Sequence, residues 1–396
     1  MRQDLMRQQE RIRSLLLKRL ELEGDLSDGQ ILELIDDLIL AENRRVFLNL
    51  RDKEELRRGL FYSVRRLDIL QELLEDSEVT EIMVNGHEQI FVEKQGRIVL
   101  WNKQFPSKER LENVIQQIAG SCNRVVNEQR PIMDARLAGG ERVNVVLPPV
   151  ALNGPVMTIR RFPEHPITIE QMILWGTLTG EAAEFLRRLV RAGYSILVGG
   201  GTSTGKTTFL NALSSCIPAD ERVITIEDNA ELQIQGIANL VRMEAKSANL
   251  DETREISIRD LIKTALRMRP SRIIVGEVRS AEAADFLTCL NTGHSGSLGS
   301  AHANSVRDMI SRLEMMVLTG LQIPIPAIRR QIASGVEILV HLGRTRDGKR
   351  QLMEIAEITG MEGDEIQITT LFLRDSQGRL QQTGELTSRE KWEKSS

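Results

Sequence analysis

Aromatic residues and net charge are both scarce in this chain, and each scarcity excludes a class of protein. Phe, Trp and Tyr make up 4% of the 396 residues, and 52 Lys and Arg face 56 Asp and Glu, for a net charge of −4. Such a composition supplies neither the positive potential nor the stacking rings on which nucleic-acid binding depends. We therefore expect no nucleic-acid partner.

Cysteines are also few, at positions 122, 216 and 289, and no C-x-x-C pair occurs. An odd number of widely spaced cysteines excludes a disulfide scaffold and a structural zinc element, and is typical of a reducing cytosol. No apolar run reaches about 18 residues, and the N-terminal stretch lacks a signal-peptide core. We expect a cytoplasmic protein with at most peripheral membrane contact.

The length of the chain exceeds what one hydrophobic core usually organises, which predicts several domains of overall α/β class. Apolar residues recur at helical spacing in the first part, short β-branched runs follow, and strands then alternate with helices, as in a mainly parallel sheet. The predicted segments are a helical extension at 1–74, an α+β domain at 75–162, a linker at 163–167, a nucleotide domain at 168–386 and a frayed polar tail at 387–396.

A complete phosphate-loop motif, G-x-x-x-x-G-K-[ST], follows an apolar strand around Val198. Its backbone N–H groups would face the α- and β-phosphates, Lys206 would reach the β- and γ-phosphates, and the Thr207 hydroxyl would ligate Mg²⁺. The motif predicts ATP and Mg²⁺ as cofactors, since a bare glycine turn seldom lies between a strand and a helix. The predicted nucleotide-binding residues of the loop are Gly200, Gly201, Thr202, Ser203, Thr204, Gly205, Lys206, Thr207 and Thr208.

Two carboxylates at predicted strand ends are candidates to complete the site. Glu277 follows an apolar strand and Gly276, which stands where an aspartate is usual; it could contact Mg²⁺ through water or position the attacking water. Glu227 follows another apolar strand and is a candidate general base. The alternative for either acid is a helix cap. The sequence leaves open which of the two is the base.

Two histidines lie in one segment rich in glycine and serine. Such a composition is poor for a core but suits a phosphate-facing loop and strand, so His294 and His302 are candidates to hydrogen-bond a γ-phosphate. A zinc pair is disfavoured, because no cysteine or further histidine lies at ligand spacing. A purely structural role is the remaining alternative.

Together these segments resemble the type II/IV secretion ATPase superfamily: the phosphate loop, an aspartate box at 225–228, the Gly276-Glu277 strand end, and a histidine box ending at His302. Further segments look most like the CpaF-type ATPases of tight-adherence (Flp) pilus assembly. The chain lacks the four-cysteine zinc element of the type II secretion and pilus-extension branches. The segments that carry the closer resemblance are 83–86, 134–137, 142–144 and 158–162.

The resemblance implies a PAS-like α+β domain and a RecA-like P-loop domain, assembled as a homo-hexamer at the cytoplasmic face of the inner membrane. Hydrolysis of ATP would drive a membrane-embedded pilus platform protein. It also implies that Arg142, Arg160 and Arg161, and less directly Arg136, approach the phosphates, where a guanidinium fork stabilises equatorial oxygens. Surface salt bridges are the alternative for each arginine.

Two other functions stay open at this point. A conjugative or DNA-uptake type IV secretion ATPase would share the same core, although segments 85–86 and 134–137 favour pilus assembly. A nucleotide-gated scaffold with little turnover would not need the full set of acids and histidines. Neighbouring pilin and platform-protein genes would favour the pilus motor, whereas relaxase genes would favour conjugation.

Overall fold

The computed structural model describes residues 3–23, 26–94, 96–161, 166–246, 255–345 and 347–394. Its internal contacts divide the chain into two compact units, Met1–Pro163 and Glu164–Ser396. Residues 163–165 of the predicted linker lie outside the described residues.

The first unit begins with four helices. Leu16, Ile35 and Leu60 belong to a core shared by the first three helices, whereas the fourth helix places Leu70 and Leu73 in the core of the following sheet. A capping box at Ser27 fixes the start of the second helix. The helices are α1 (Gln3–Glu23), α2 (Asp28–Asn43), α3 (Leu50–Arg65) and α4 (Leu70–Glu75).

A six-stranded antiparallel sheet with one helix completes the first unit. The strand order is β3-β2-β1-β6-β5-β4. Leu111, Ile115 and Ile118 of the helix pack with buried strand residues in one apolar core. The elements are β1 (Val79–Asn85), β2 (Gln89–Lys94), β3 (Arg97–Leu100), α5 (Lys108–Ser121), β4 (Ile132–Arg136), β5 (Arg142–Val146) and β6 (Val156–Arg160).

The second unit alternates helices and strands before it ends in an antiparallel extension. Its elements are α6 (Ile169–Leu174), α7 (Gly180–Arg191), β7 (Ile196–Gly200), α8 (Lys206–Ser214), β8 (Arg222–Glu227), β9 (Asn239–Glu244), α9 (Ile258–Ala265), β10 (Arg272–Val278), α10 (Glu282–Asn291), β11 (Leu298–His302), α11 (Val306–Gly320), α12 (Ile325–Gly335), β12 (Ile338–Arg344), β13 (Arg350–Glu362), β14 (Glu365–Arg374), β15 (Leu380–Gln382) and α13 (Glu390–Lys394).

One nine-stranded sheet organises this unit, in the order β15-β14-β13-β12-β7-β11-β10-β8-β9. The strands from β12 to β9 are parallel, and β13 to β15 continue the sheet antiparallel. Along β7, Ile196 and Val198 face one apolar core and Leu197 faces another, so helices cover both faces. The predicted mainly parallel α/β sheet is thereby confirmed.

The polar C-terminal segment, predicted to be frayed, is instead attached to the unit. The N–H groups of Thr387 and Ser388 donate to the buried carboxylate of Glu357, both at 2.7 Å. The Trp392 ring of α13 lies 5.2 Å from the Phe185 ring, centroid to centroid. The two contacts were not predictable from local polarity, because both partners are distant in the sequence.

Candidate nucleotide site

The candidate site lies along one edge of the nine-stranded sheet, where the carboxyl ends of its parallel strands meet. β7 ends at Gly200, β8 at Glu227, β11 at His302 and β12 at Arg344, and Glu277 is the penultimate residue of β10. Five strands from distant parts of the sequence therefore place residues from their carboxyl ends along this edge. This edge is where open α/β sheets bind ligands.

The loop between β7 and α8 is tightly curled. Gly205 precedes α8 with a φ of 92°, a left-handed conformation that glycine adopts readily. A Cβ at Gly200 would lie 2.7 Å from the Leu342 carbonyl oxygen, so no larger residue fits there. Lys206 and Thr207 open α8, whose first N–H groups have no intrahelical acceptor. This conformation suits the binding of a polyphosphate.

Lys206 lies inside the curl. Its Nζ donates to the carbonyl oxygens of Gly200 and Gly201, both at 3.1 Å, and lies 3.2 Å from His302 Nδ1. The same Nζ is 3.8 Å from Glu277 Oε1. Lys206 is buried, with 8% of its surface exposed. The structure thus brings three of the predicted catalytic residues into one contact group.

Glu277 is surrounded by cationic or hydrogen-bonding side chains. His302 Nε2 lies 2.9 Å from its Oε1, and Arg279 Nη2 lies 2.5 Å from its Oε2. Arg279 also contacts Asp228 Oδ2 at 3.0 Å. Burial lowers the pKa of His302; Glu277 opposes this effect, and Lys206 and Arg279 add to it. The imidazole is therefore mostly neutral at pH 7 and retains one nitrogen that can accept a hydrogen bond.

Glu227, the other candidate base, occupies a drier position. Its Oε1 accepts the N–H groups of Glu231 and Leu232, both at 2.9 Å, and its Oε2 is buried without a hydrogen-bond partner among the described residues. Burial raises the pKa of this carboxyl to about 7, although the two N–H bonds lower it. Glu227 therefore holds the loop that follows β8 through these two hydrogen bonds. Its pKa also suits proton exchange near neutral pH.

The structure shows why glycine, and not the usual aspartate, stands at position 276. A Cβ at this position would lie 2.8 Å from Glu227 Cγ, closer than side-chain atoms approach. The glycine therefore makes room for the buried carboxylate of the neighbouring strand.

The two predicted histidines lie at opposite ends of β11. His302 ends β11, opposite Gly200 of the parallel strand β7. His294 lies four residues before β11 begins, and its backbone oxygen accepts the Ser297 hydroxyl at 2.7 Å. The structure thus brings His302, and not His294, to the phosphate loop.

The residues present fit magnesium as it is usually bound. No group of three or more His, Cys, Asp or Glu that could hold a metal occurs among the described residues. Magnesium normally takes one or two protein oxygens and completes its shell with phosphate oxygens and water. Thr207, at the start of α8, and Glu277 supply such oxygens at the phosphate-loop edge.

In the first unit, three of the predicted arginines form one row across the sheet. Glu81 of β1 lies opposite Arg160 of β6, Arg160 lies opposite Arg142 of β5, and Arg142 lies opposite Arg136 of β4. Directly opposed residues share a face, and like charges there repel. Arg142 and Arg160 also line a cavity of ≈ 280 Å³. Such a row is suited to an anion.

Arg161 has a different environment. Its Nη1 donates to the backbone oxygens of Val79 at 2.9 Å, of Leu73 at 3.4 Å and of Asp76. The guanidinium thereby ties β6 to the turn between α4 and β1. The structure does not place it in the row of the other three arginines.

Arg344 was not singled out from the sequence. Its Nε and Nη2 donate to the Ser203 carbonyl oxygen of the phosphate loop at 3.1 and 2.9 Å. Arg279 was missed as well, although its position two residues after Glu277 offered a signal, because alternate residues of a strand share a face. Nothing local in the sequence marks Arg344.

No helix within the described ranges is both long and apolar enough to cross a membrane. A family model described as "Type II/IV secretion system protein" matches residues 65–366.

Similar proteins agree with this match. A putative conjugal transfer protein of Mycobacterium tuberculosis is 34% identical over 314 residues, covering 78% of this chain and 88% of that protein. The type IV secretion system protein PtlH of Bordetella pertussis is 32% identical over 324 residues, covering 75% and 94%. The crystal structure of the pilus retraction motor PilT with bound ADP superposes with a TM-score of 0.52 at 20% identity, covering 72% and 81%. That last likeness concerns the fold.

Proposed function

The chain belongs to the type II/IV secretion system protein family, and we propose that it is a magnesium-dependent ATPase acting as a homo-hexameric motor of tight-adherence (Flp) pilus assembly. One observation carries the ATPase proposal. Lys206 Nζ of the phosphate loop lies 3.2 Å from His302 Nδ1 and 3.8 Å from Glu277 Oε1. The lysine proposed to bind the phosphates is therefore in contact with the carboxylate proposed to orient the attacking water.

In this proposal Lys206 and the loop N–H groups bind the β- and γ-phosphates of ATP, and Thr207 and Glu277 hold Mg²⁺, Glu277 through water. The bound ion neutralises charge that develops on the phosphate oxygens. Glu277 orients the attacking water, and the His302 imidazole donates a hydrogen bond to a γ-phosphate oxygen. Glu227 holds the loop that follows β8 and remains the alternative general base.

We also propose that the arginine row supplies cationic charge to the phosphates during hydrolysis. Its support is the cross-strand alignment of Arg136, Arg142 and Arg160, which a structural sheet would avoid because like charges repel. Asp134 lies 3.6 Å from Arg142 and offsets part of that charge.

The pilus assignment depends on segments 83–86, 134–137, 142–144 and 158–162, which resemble the CpaF-type ATPases. The proposed partner is an inner-membrane platform protein, and the proposed location is peripheral, at the cytoplasmic face of that membrane. The proposal covers assembly and retraction alike.

The second candidate function is a conjugative type IV secretion ATPase. The name of one relative, a putative conjugal transfer protein at 34% identity, favours conjugation, and that of another, at 32%, indicates type IV secretion. Pilin, prepilin peptidase and platform-protein genes beside this one would support the pilus motor; relaxase genes would support conjugation. Filter binding over a salt series gives a second test. The negative net charge predicts weak DNA binding at physiological salt, and tight, salt-sensitive binding would favour conjugation.

The ATPase proposal is tested by the release of phosphate with and without Mg²⁺. Lys206→Ala should abolish hydrolysis and weaken ATP binding, because the β- and γ-phosphates lose their buried counter-charge. Lys263→Ala, which removes an exposed lysine of α9, is the matched control and should hydrolyse ATP at the normal rate. Normal hydrolysis by folded Lys206→Ala protein would refute the assignment, and very slow turnover by the wild type would favour the nucleotide-gated scaffold.

A further inference from the structure

A cavity of ≈ 310 Å³ lies beside the candidate nucleotide site. Its wall consists of three basic side chains, Arg279, His302 and Arg312, and two apolar ones, Val278 and Met316. The volume accommodates a small oxyanion with part of its water shell. The composition of the wall makes an anion the matching ligand.

His302 is common to the nucleotide site and the cavity. Its two ring nitrogens contact Lys206 at 3.2 Å and Glu277 at 2.9 Å, and the ring also lines the cavity. Arg279 has the same double position, because it contacts Glu277 at 2.5 Å and lines the cavity. A group released beside Glu277 would therefore meet the cavity across one layer of side chains.

Arg312 is the cation without a counter-charge. It lies on the exposed side of α11, and within the described ranges its side chain makes no hydrogen bond or ion pair. Arg279, in contrast, is paired with Glu277 and Asp228. Arg312 also acts on His302 electrostatically, since it contributes to the lowered pKa of that imidazole. A guanidinium in this position offers a planar fork of donors, which matches two oxygens of a phosphate.

We propose that this cavity holds the inorganic phosphate produced by ATP hydrolysis, with Arg312 as its principal ligand and Arg279 and His302 as its inner wall. The proposal rests on the ATPase function proposed above. It separates the product phosphate from the nucleotide, so phosphate and ADP leave by different routes and Arg312 sets the lifetime of the ADP–phosphate state.

The test uses the full chain and inorganic phosphate as the probe. Phosphate is titrated into the ADP- and Mg²⁺-bound protein by calorimetry, and its inhibition constant is measured in steady-state hydrolysis. Arg312→Ala should weaken phosphate binding about 10- to 100-fold, the usual effect of losing a hydrogen bond to a charged group. The phosphate affinity of Arg312→Lys should lie between those of the wild type and Arg312→Ala, because lysine keeps the charge but lacks the planar fork of donors.

Arg307→Ala is the matched control. Arg307 is an exposed arginine of the same helix, five residues earlier and therefore on another side of α11, and it does not line the cavity. It should leave phosphate affinity and turnover unchanged. Retained ADP binding verifies that each variant is folded.

Three results would overturn the proposal. The first is unchanged phosphate affinity in both Arg312 variants. The second is a loss of ATP affinity as large as the loss of phosphate affinity, which would assign Arg312 to the nucleotide. The third is wild-type protein that hydrolyses ATP but binds no phosphate in the ADP state. Absent hydrolysis with intact, Arg312-dependent phosphate binding would instead count against the proposed ATPase function alone.

Discussion

Gly276 and Glu227 occupy space that only one of them can fill: a Cβ on Gly276 would lie 2.8 Å from Glu227 Cγ and 3.4 Å from Glu227 Cβ. Glu227 ends β8, and Gly276 lies two residues before the end of the neighbouring parallel strand β10. The absence of a side chain at one position is therefore a condition for the buried carboxylate at the other.

Gly276→Ala should destabilise the second unit by about 1–3 kcal/mol, the usual cost of overpacking, and should reduce hydrolysis. Thermal or chemical unfolding measures the first effect. In a Glu227→Ala background the same substitution should cost much less, because the clashing Cγ is gone. Gly120→Ala, at a helical glycine with open space around it, is the control and should not destabilise. Equal costs in both backgrounds would show that the two residues do not interact.

Glu277→Gln should retain ATP and hydrolyse it about 10² to 10⁴ times more slowly, because the amide keeps the shape but no longer accepts a proton. Single-turnover assays with bound ATP measure this step directly. Glu362→Gln, at an exposed residue of β13, should leave the rate unchanged. If Glu227→Gln were the slower variant, the general-base role would pass to Glu227.

The raised pKa of Glu227 predicts a pH-dependent stability. A carboxyl whose pKa is about 7 when folded and 4.5 ordinarily stabilises the fold in its protonated form. That contribution is complete below about pH 4.5 and is lost as the pH rises to 7. Glu227→Gln mimics the protonated group, so the stability of wild type relative to the variant should fall by about 2–3 kcal/mol between pH 5 and pH 8. Denaturant titrations at both pH values test this, and a constant difference would contradict it.

The arginine row predicts an effect on turnover more than on affinity. Arg142→Lys and Arg160→Lys keep the charge and lose the planar fork, so hydrolysis should fall at least about tenfold while the ATP dissociation constant changes little. Arg97→Lys, on the exposed edge strand β3, is the control. Full turnover in both variants would leave the row without a role in the chemistry.

Local sequence was sufficient for the phosphate loop, because its glycines, lysine and flanking apolar strand are contiguous. It also predicted the acids at strand ends and the mainly parallel sheet. It did not predict which histidine lies beside the phosphate loop, because that depends on the end of β11 at which each histidine stands. The arginine row depends on strand register, and the strand β4 was not recognised from the sequence. Such arrangements are set by pairing between segments far apart in the chain.

The tail and Arg344 illustrate the same limit. Thr387 and Ser388 find the buried Glu357 about 30 residues earlier, and Arg344 finds Ser203 141 residues earlier. Neither contact is marked in the sequence by a periodic pattern or by a local composition.

The bond between Arg344 and Ser203 joins the phosphate loop to the last parallel strand, which continues into the antiparallel extension. Any ligand that stiffens the loop should therefore slow amide hydrogen exchange in β12 and in the adjoining strand β13. Because linkage is reciprocal, a mechanical load carried by the antiparallel strands should change how firmly the loop holds a nucleotide. The Arg344–Ser203 contact would then couple mechanical load on the antiparallel strands to nucleotide occupancy of the loop.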